Sequence, residues 1–134
     1  MNFALIGAGG HPIGLVQTSL GGSPLCMWNP TEPGDPILFH NMVHCIEVVG
    51  GRVKGVLWYQ GESETGDEKT AATAADRFIN AVGAWRSALK NPELAVITFQ
   101  LNRLLMNQDE KADRLWTIVR ETQRQVPRRL KGVT

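Results

Sequence analysis

Cysteine and tyrosine are scarce in this chain, and no Lys or Arg occurs before Arg52. Cys26 and Cys45 are the only cysteines in 134 residues and lack metal or redox spacing. A disulfide framework is therefore not implied, and both are expected as buried free thiols. No window approaches the roughly 18 to 20 apolar residues of a membrane helix. The opening MNFALIGAGGHPIG has no basic n-region and does not read as a signal peptide. With hydrophobic residues at 43%, charged residues at 20% and a net charge of +1, the chain is not disordered, collagen-like or coiled-coil. Its length suits a single domain. Cations concentrate late, at Arg120, Arg124, Arg128, Arg129 and Lys131. No aromatic residue interleaves them after Trp116, so a solvated helix face is expected there rather than a nucleic-acid surface.

Glycine and proline cut the rest into alternating elements. Residues 13–19 (IGLVQTS) suit a buried strand closed by Gly21-Gly22. Three prolines in residues 29–36 (NPTEPGDP) exclude regular structure there. Asp35 and Pro36 are a cap and first-turn pair for a helix carrying Phe39, Met42, Val43, Ile46 and Val49, which Gly50-Gly51 stops. Residues 53–59 (VKGVLWY) read as a second buried strand, and residues 60–67 as a polar turn. A helix follows over about 69–90, with Phe78, Ile79, Val82, Trp85 and Leu89 on one face. Residues 94–101 (LAVITFQL) form a third strand, and a helix over about 113–126 ends at Pro127. The closing Gly132-Val133-Thr134 looks like the start of another strand. Strands alternating with such helices predict an α/β domain with a parallel sheet and helices on both faces.

In such sheets the functional crevice lies beyond the carboxyl ends of the strands. Gly21-Gly22-Ser23 and Gln60-Gly61-Glu62-Ser63-Glu64 fall there. The second is the more informative. An apolar strand ends in an amide that offers an NH2 donor, a glycine that permits a sharp turn, and a carboxylate that can accept or act as base. The same residues also suit a polar loop that merely caps the next helix.

The run Trp58-Tyr59-Gln60-Gly61-Glu62-Ser63, preceded by Gly55-Val56-Leu57, resembles the third signature block of the SGNH (GDSL-type) hydrolases. The version is that of the sialate O-acetylesterase-like and carbohydrate esterase family 6 branch. Members usually continue with Asp or Asn where this chain has Glu64. Ile13-Gly14-Leu15-Val16-Gln17 through Gly21-Gly22-Ser23-Pro24 and Trp28 is similar to that branch's G-L-I-x-x-x-x-G-G-T-P…W segment. Leu38-Phe39-His40-Asn41-Met42, Trp85-Arg86, Gln100-Leu101 and Arg120-Glu121-Thr122-Gln123 resemble its L-Y-N-x-M, W-R, Q-L and R-E-x-Q runs.

The resemblance implies an SGNH-hydrolase fold, a flavodoxin-like three-layer parallel sheet with helices on both faces. It also implies a serine-esterase mechanism acting on acetylated carbohydrate; no cofactor, metal, nucleic acid or membrane is expected to take part. The oxyanion donors would then be the Gln60 side-chain amide and a backbone N–H at Gly21 or Gly22. Glu62 would orient the catalytic histidine, and Trp58 and Tyr59 beside the crevice could contact a sugar. The family's nucleophile lies in an earlier G-x-S block and its histidine in a later D-x-x-H block. No D-x-x-H occurs in the 134 residues, and the G-x-S matches at Ser23 and Ser63 belong to other blocks. The chain therefore reads as the middle of such a domain, starting inside a helix and incomplete at both ends. Alone it is expected to be inactive.

Other signals are weaker. Ser63 sits in a near miss to G-x-S-x-G that Thr65 breaks, and two flanking carboxylates would oppose its alkoxide. Gly7-x-Gly9-Gly10 has Pro12 where a dinucleotide fingerprint needs glycine, so a helix C-cap is the expected role. His40 and His44 are spaced i, i+4 without a third ligand, which favours a partly buried helix face over a metal site. Trp28, Trp58, Trp85 and Trp116 are most simply core. Two other functions compete with the esterase. One is a non-catalytic α/β module that kept the crevice and binds a glycan or partner. The other is an unrelated flavodoxin-like binding domain.

Overall fold

The computed structural model describes residues 4–6, 10, 12–102 and 109–134. In chain order these form β1 (Ala4–Ile6), β2 (Pro12–Gly14), α1 (Ile37–Val48), β3 (Gly55–Trp58), α2 (Glu68–Ala88), β4 (Ala95–Thr98) and α3 (Glu110–Arg129). Short 3-10 turns lie at Leu25–Met27 and Glu62–Thr65. β3 and β4 run parallel, with Gly55 opposite Ala95 and Trp58 opposite Thr98. A third parallel partner begins where expected. Val133 bridges Val96, the Val96 N–H donates to Gly132 O at 2.9 Å, and the Thr134 N–H donates to Val96 O at 3.0 Å. The helices α2 and α3 thus connect successive parallel strands, as the alternating pattern predicts.

Each long helix starts on an acidic cap. The Asp67 carboxylate accepts the Thr70 N–H at 2.9 Å and opens α2, one residue before its expected start. The Thr70 hydroxyl and N–H together hold the Asp67 carboxyl below its usual range. Asp109 accepts the Ala112 N–H at 2.8 Å and opens α3. α1 differs: Pro36 occupies the cap position and Asp35 makes no capping bond. Pro127 does not end α3, which continues to Arg129. It stands in the last turn, so the missing N–H interrupts one bond, and the ladder resumes with Leu130 N–H to Val126 O at 3.0 Å.

One cluster forms most of the core. Phe39, Met42 and Ile46 of α1 meet Phe78, Val82 and Trp85 of α2, Val126 of α3 and Val96 of β4. Val56 and Trp58 pack against it from β3. Buried polar atoms are matched: Trp85 Nε1–H donates to Trp28 O at 2.8 Å, and Trp28 Nε1–H to Ser23 Oγ at 2.9 Å. All these contacts lie on one face of the sheet. On the other, Leu57, Tyr59, Ile97 and Phe99 are 62%, 57%, 44% and 49% exposed. Two layers are therefore present among the described residues, and the second helical layer expected from the sequence is not among them.

The N-terminal region departs from the reading of residues 13–19 as a buried parallel strand. β2 is three residues long and pairs antiparallel with β1, Leu5 standing opposite Ile13. That ladder stops at Gly14, and Leu15, Val16 and Leu20 are exposed. The first element is likewise a strand rather than part of a helix. Gly7 and Gly9 lie outside the described residues. β1 precedes them, but β2 follows where a dinucleotide site requires a helix. Cys26 and Cys45 are free and half-buried rather than buried, and His40 and His44 are both exposed.

Candidate functional site

The chain leaves β3 into the crevice through Gln60 and Gly61. At Gly61 φ is +150°, and a Cβ there would lie 2.6 Å from Gln123 Nε2, 3.1 Å from Leu101 Cδ1 and 3.2 Å from Val119 Cγ1. Only glycine combines that backbone angle with that proximity. The close neighbour, Gln123 of α3, spans the splayed ends of the two strands. Its amide N–H donates to Gln60 O at 2.8 Å, and its carbonyl accepts the Leu101 N–H at 2.9 Å. Arg120, one helical turn earlier, donates to Leu101 O at 3.0 Å. The run Arg120-Glu121-Thr122-Gln123 therefore ties the loops after β3 and β4 to one helix. At the opposite end of β4, Arg86 donates to Leu94 O at 2.9 Å and Lys131 O at 2.8 Å.

Residues 21–23 and 60–64 come together as the sequence suggests. Ser63 Oγ–H donates to Gly22 O at 2.9 Å, and Gln60 Nε2–H to Ser23 O at 3.3 Å. The strongest link is made by Glu64, which is 1% exposed. Its Oε1 accepts the Leu25 N–H at 2.7 Å and Gln60 Nε2–H at 3.1 Å. Its Oε2 pairs with Arg77 of α2. Arg77 also pairs with Glu32 at 2.7 Å, and Glu32 accepts from the buried Asn29 at 2.7 Å. Burial opposes the charge on Arg77, but the Glu32 hydrogen bond and then the field of Glu64 outweigh it and raise its pKa.

Gln60 is half-buried. Its two amide protons face two pure acceptors, Glu64 and Ser23 O, which fixes the sense of the amide. Glu62 is exposed on the outside of the 3-10 turn, and its carboxylate has no partner among the described residues. Gly21 and Gly22 are exposed, and neither N–H has an acceptor among the described residues. Trp58 packs into the core, its ring 5.0 Å from Trp85, 5.4 Å from Trp28 and 5.6 Å from Phe78. Tyr59, by contrast, opens to solvent. Ser63 is committed to Gly22 O, and no histidine is hydrogen-bonded to a serine among the described residues. A cavity of about 30 Å³, room for a water or two, lies beneath Gln60 between Leu25, Glu64, Phe78, Val119 and Gln123.

Sequence reasoning did not assign a role to Glu64, Arg77 or Gln123. A signal for Arg77 was present: it follows Ala74 and precedes Phe78 and Ala81 on the apolar stripe of α2, where a lone cation implies a buried partner. Nothing in the spacing of Glu62 and Glu64 distinguishes the exposed carboxylate from the buried one. The turn at Gly61 decides it.

These features define an α/β protein whose candidate site, rich in amide and carboxylate groups, sits at the carboxyl end of a parallel strand. More particularly, the chain belongs to the family described as carbohydrate esterase, sialic acid-specific acetylesterase, whose model matches residues 1–134. It is also similar to a protein from Arabidopsis thaliana known from its X-ray structure, with 26% identity and a TM-score of 0.68. That match covers 85% of this chain and 43% of the Arabidopsis protein, so the chain spans under half of that protein's length. No curated protein sequence matches.

Proposed function

We propose that the chain is the crevice-bearing part of a carboxylic ester hydrolase that removes acetyl groups from O-acetylated carbohydrate by an SGNH-type serine-esterase mechanism. A serine from a G-x-S block in flanking sequence would attack the acetyl carbonyl. A histidine from a D-x-x-H block would take its proton and return it to the departing sugar hydroxyl; water would then release acetate. In this reading Gln60 and the backbone N–H of Gly21 or Gly22 donate to the tetrahedral oxyanion. The unpartnered Glu62 carboxylate orients the histidine, and the exposed Tyr59 ring offers a face to the sugar while Trp58 supports it from the core. The observation that supports the reading is the contact of Ser23 O with Gln60 and of Gly22 O with Ser63, which brings the 21–23 and 60–63 segments together at one strand end.

The test is acetate release by the native protein from O-acetylated sialic acid and from acetylated xylan. Removal of one oxyanion donor typically lowers kcat by about 100- to 1000-fold, so Gln60→Ala is expected to fall in that range. A Gln60→Ala variant with unchanged kcat would overturn the oxyanion assignment. Absence of turnover on both sugars would favour a second reading, a glycan-binding module. That reading draws on the commitment of Ser63 Oγ to Gly22 O and on both Gln60 amide protons having acceptors.

A further inference from the structure

The geometry points to Glu64 as a positioning residue: it takes one amide proton of Gln60 permanently and leaves the second, now on Ser23 O, as the one delivered to the reacting oxygen. This rests on Gln60 being an oxyanion donor. The two bonds are unequal. Glu64 accepts at 3.1 Å as a buried carboxylate, whereas Ser23 O accepts at 3.3 Å as a neutral carbonyl. Hydrogen bonds to ionised groups are about twice as strong as neutral ones, so the Ser23 bond is the one that opens when a better acceptor arrives. A developing oxyanion is such an acceptor.

Glu64 is itself prevented from following the amide. The Leu25 N–H holds Oε1 at 2.7 Å, and Arg77 holds Oε2. Arg77 is in turn fixed by Glu32, through Nε at 2.9 Å and Nη2 at 2.7 Å. At the other end of Gln60, Gln123 pins the backbone carbonyl at 2.8 Å. The side chain is thus anchored by its main chain and by one amide proton, which leaves rotation toward or away from Ser23 O as its remaining freedom. An oxyanion donor must be aimed before charge develops, and a misplacement of about 1 Å can lower a rate by as much as 100-fold.

Two readouts separate this role from simple bracing of the loop. In the 15N-labelled native protein, the Gln60 side-chain amide, assigned by its loss in Gln60→Ala, is expected to show two well-separated proton shifts. In Glu64→Gln the separation should collapse toward that of the exposed Gln17, while backbone signals away from residues 22–25, 60–64 and 77 stay in place. Glu64→Asp, which keeps the charge, should restore part of it and serves as the variant to read if Glu64→Gln fails to fold. In the native protein Glu64→Gln should lower kcat by up to about 100-fold at unchanged KM. It should add little to Gln60→Ala. An unaltered Gln60 amide pair in both Glu64 variants, or kcat effects of Glu64→Gln and Gln60→Ala that simply multiply, would overturn the proposal. A collapsed amide pair combined with a fully active Gln60→Ala would instead leave the positioning intact and remove the oxyanion reading on which its purpose rests.

Discussion

The two faces of the β3–β4 sheet are built on opposite terms. One is covered by α1, α2 and α3, and the loop leaving it is braced by buried charge, with Glu64, Arg77, Glu32 and Asn29 joined in a single chain of contacts. The other presents Leu57, Tyr59, Ile97 and Phe99 to solvent with no described element against them. Parallel sheets are ordinarily buried on both faces, because their crossover helices lie on either side. The contrast teaches that this region spends its interior polar contacts on holding one strand end rather than on closing the sheet.

The largest expected effect lies on the braced side. Arg77→Met would leave the buried Glu64 carboxylate without its cation, and breaking a buried pair by removing one partner typically costs about 3–5 kcal/mol. Urea denaturation monitored by tryptophan fluorescence would measure it; a loss under about 1 kcal/mol would mean that the two carboxylates do not depend on Arg77. Next comes the turn that aims the braced loop. Gly61→Ala must adopt a φ of +150° with its Cβ 2.6 Å from Gln123 Nε2. Backbone strain alone is worth about 1–3 kcal/mol, and the Gln123 bridge should loosen as well. A Gly61→Ala variant as stable as the parent would show that the loop can turn differently.

On the bare side the expectation reverses. Leu57→Thr should change stability by less than about 0.5 kcal/mol in the 134-residue chain, as exposed positions do. A loss of several times that value would mean that something covers this face in solution, and the comparison would fail. The smallest effect is on the outer surface of α3. Arg124 and then Gln125 hydrogen-bond Glu121 and bring its pKa from 4.5 to about 2. A depressed carboxyl contributes stability that is present above its unfolded value and lost as pH falls through the folded one. Glu121 should therefore add a slight decline in Tm between pH 4.5 and 2 that Glu121→Gln lacks. Because the pair is exposed, high salt should erase the difference.

Much of this arrangement was legible beforehand for identifiable reasons. The apolar stripe of Phe78, Val82 and Trp85 repeats at helical spacing, so α2 was readable to within about two residues at either end. Gln60 and Gly61 were readable because an amide and a glycine directly follow an apolar strand. Pro127 misled because its cost depends on its place in the helix: in the last turn only one hydrogen bond is at stake. Residues 13–19 misled because an apolar run states that burial is favourable, not that a partner is present to provide it. Glu62 and Glu64 look alike in a string, and only the 3-10 turn separates the exposed carboxylate from the buried one.

The sequence by itself determined the alternation of strands and helices, the parallel sheet and the loops that meet in the crevice, because periodicity and turn residues act locally. The tertiary structure decided which carboxylate is buried, what Arg77 neutralises, how Gln123 bridges two strands and which face of the sheet is bare. Those outcomes depend on partners 13 to 63 residues apart in the chain, and no local pattern encodes the meeting of such distant groups.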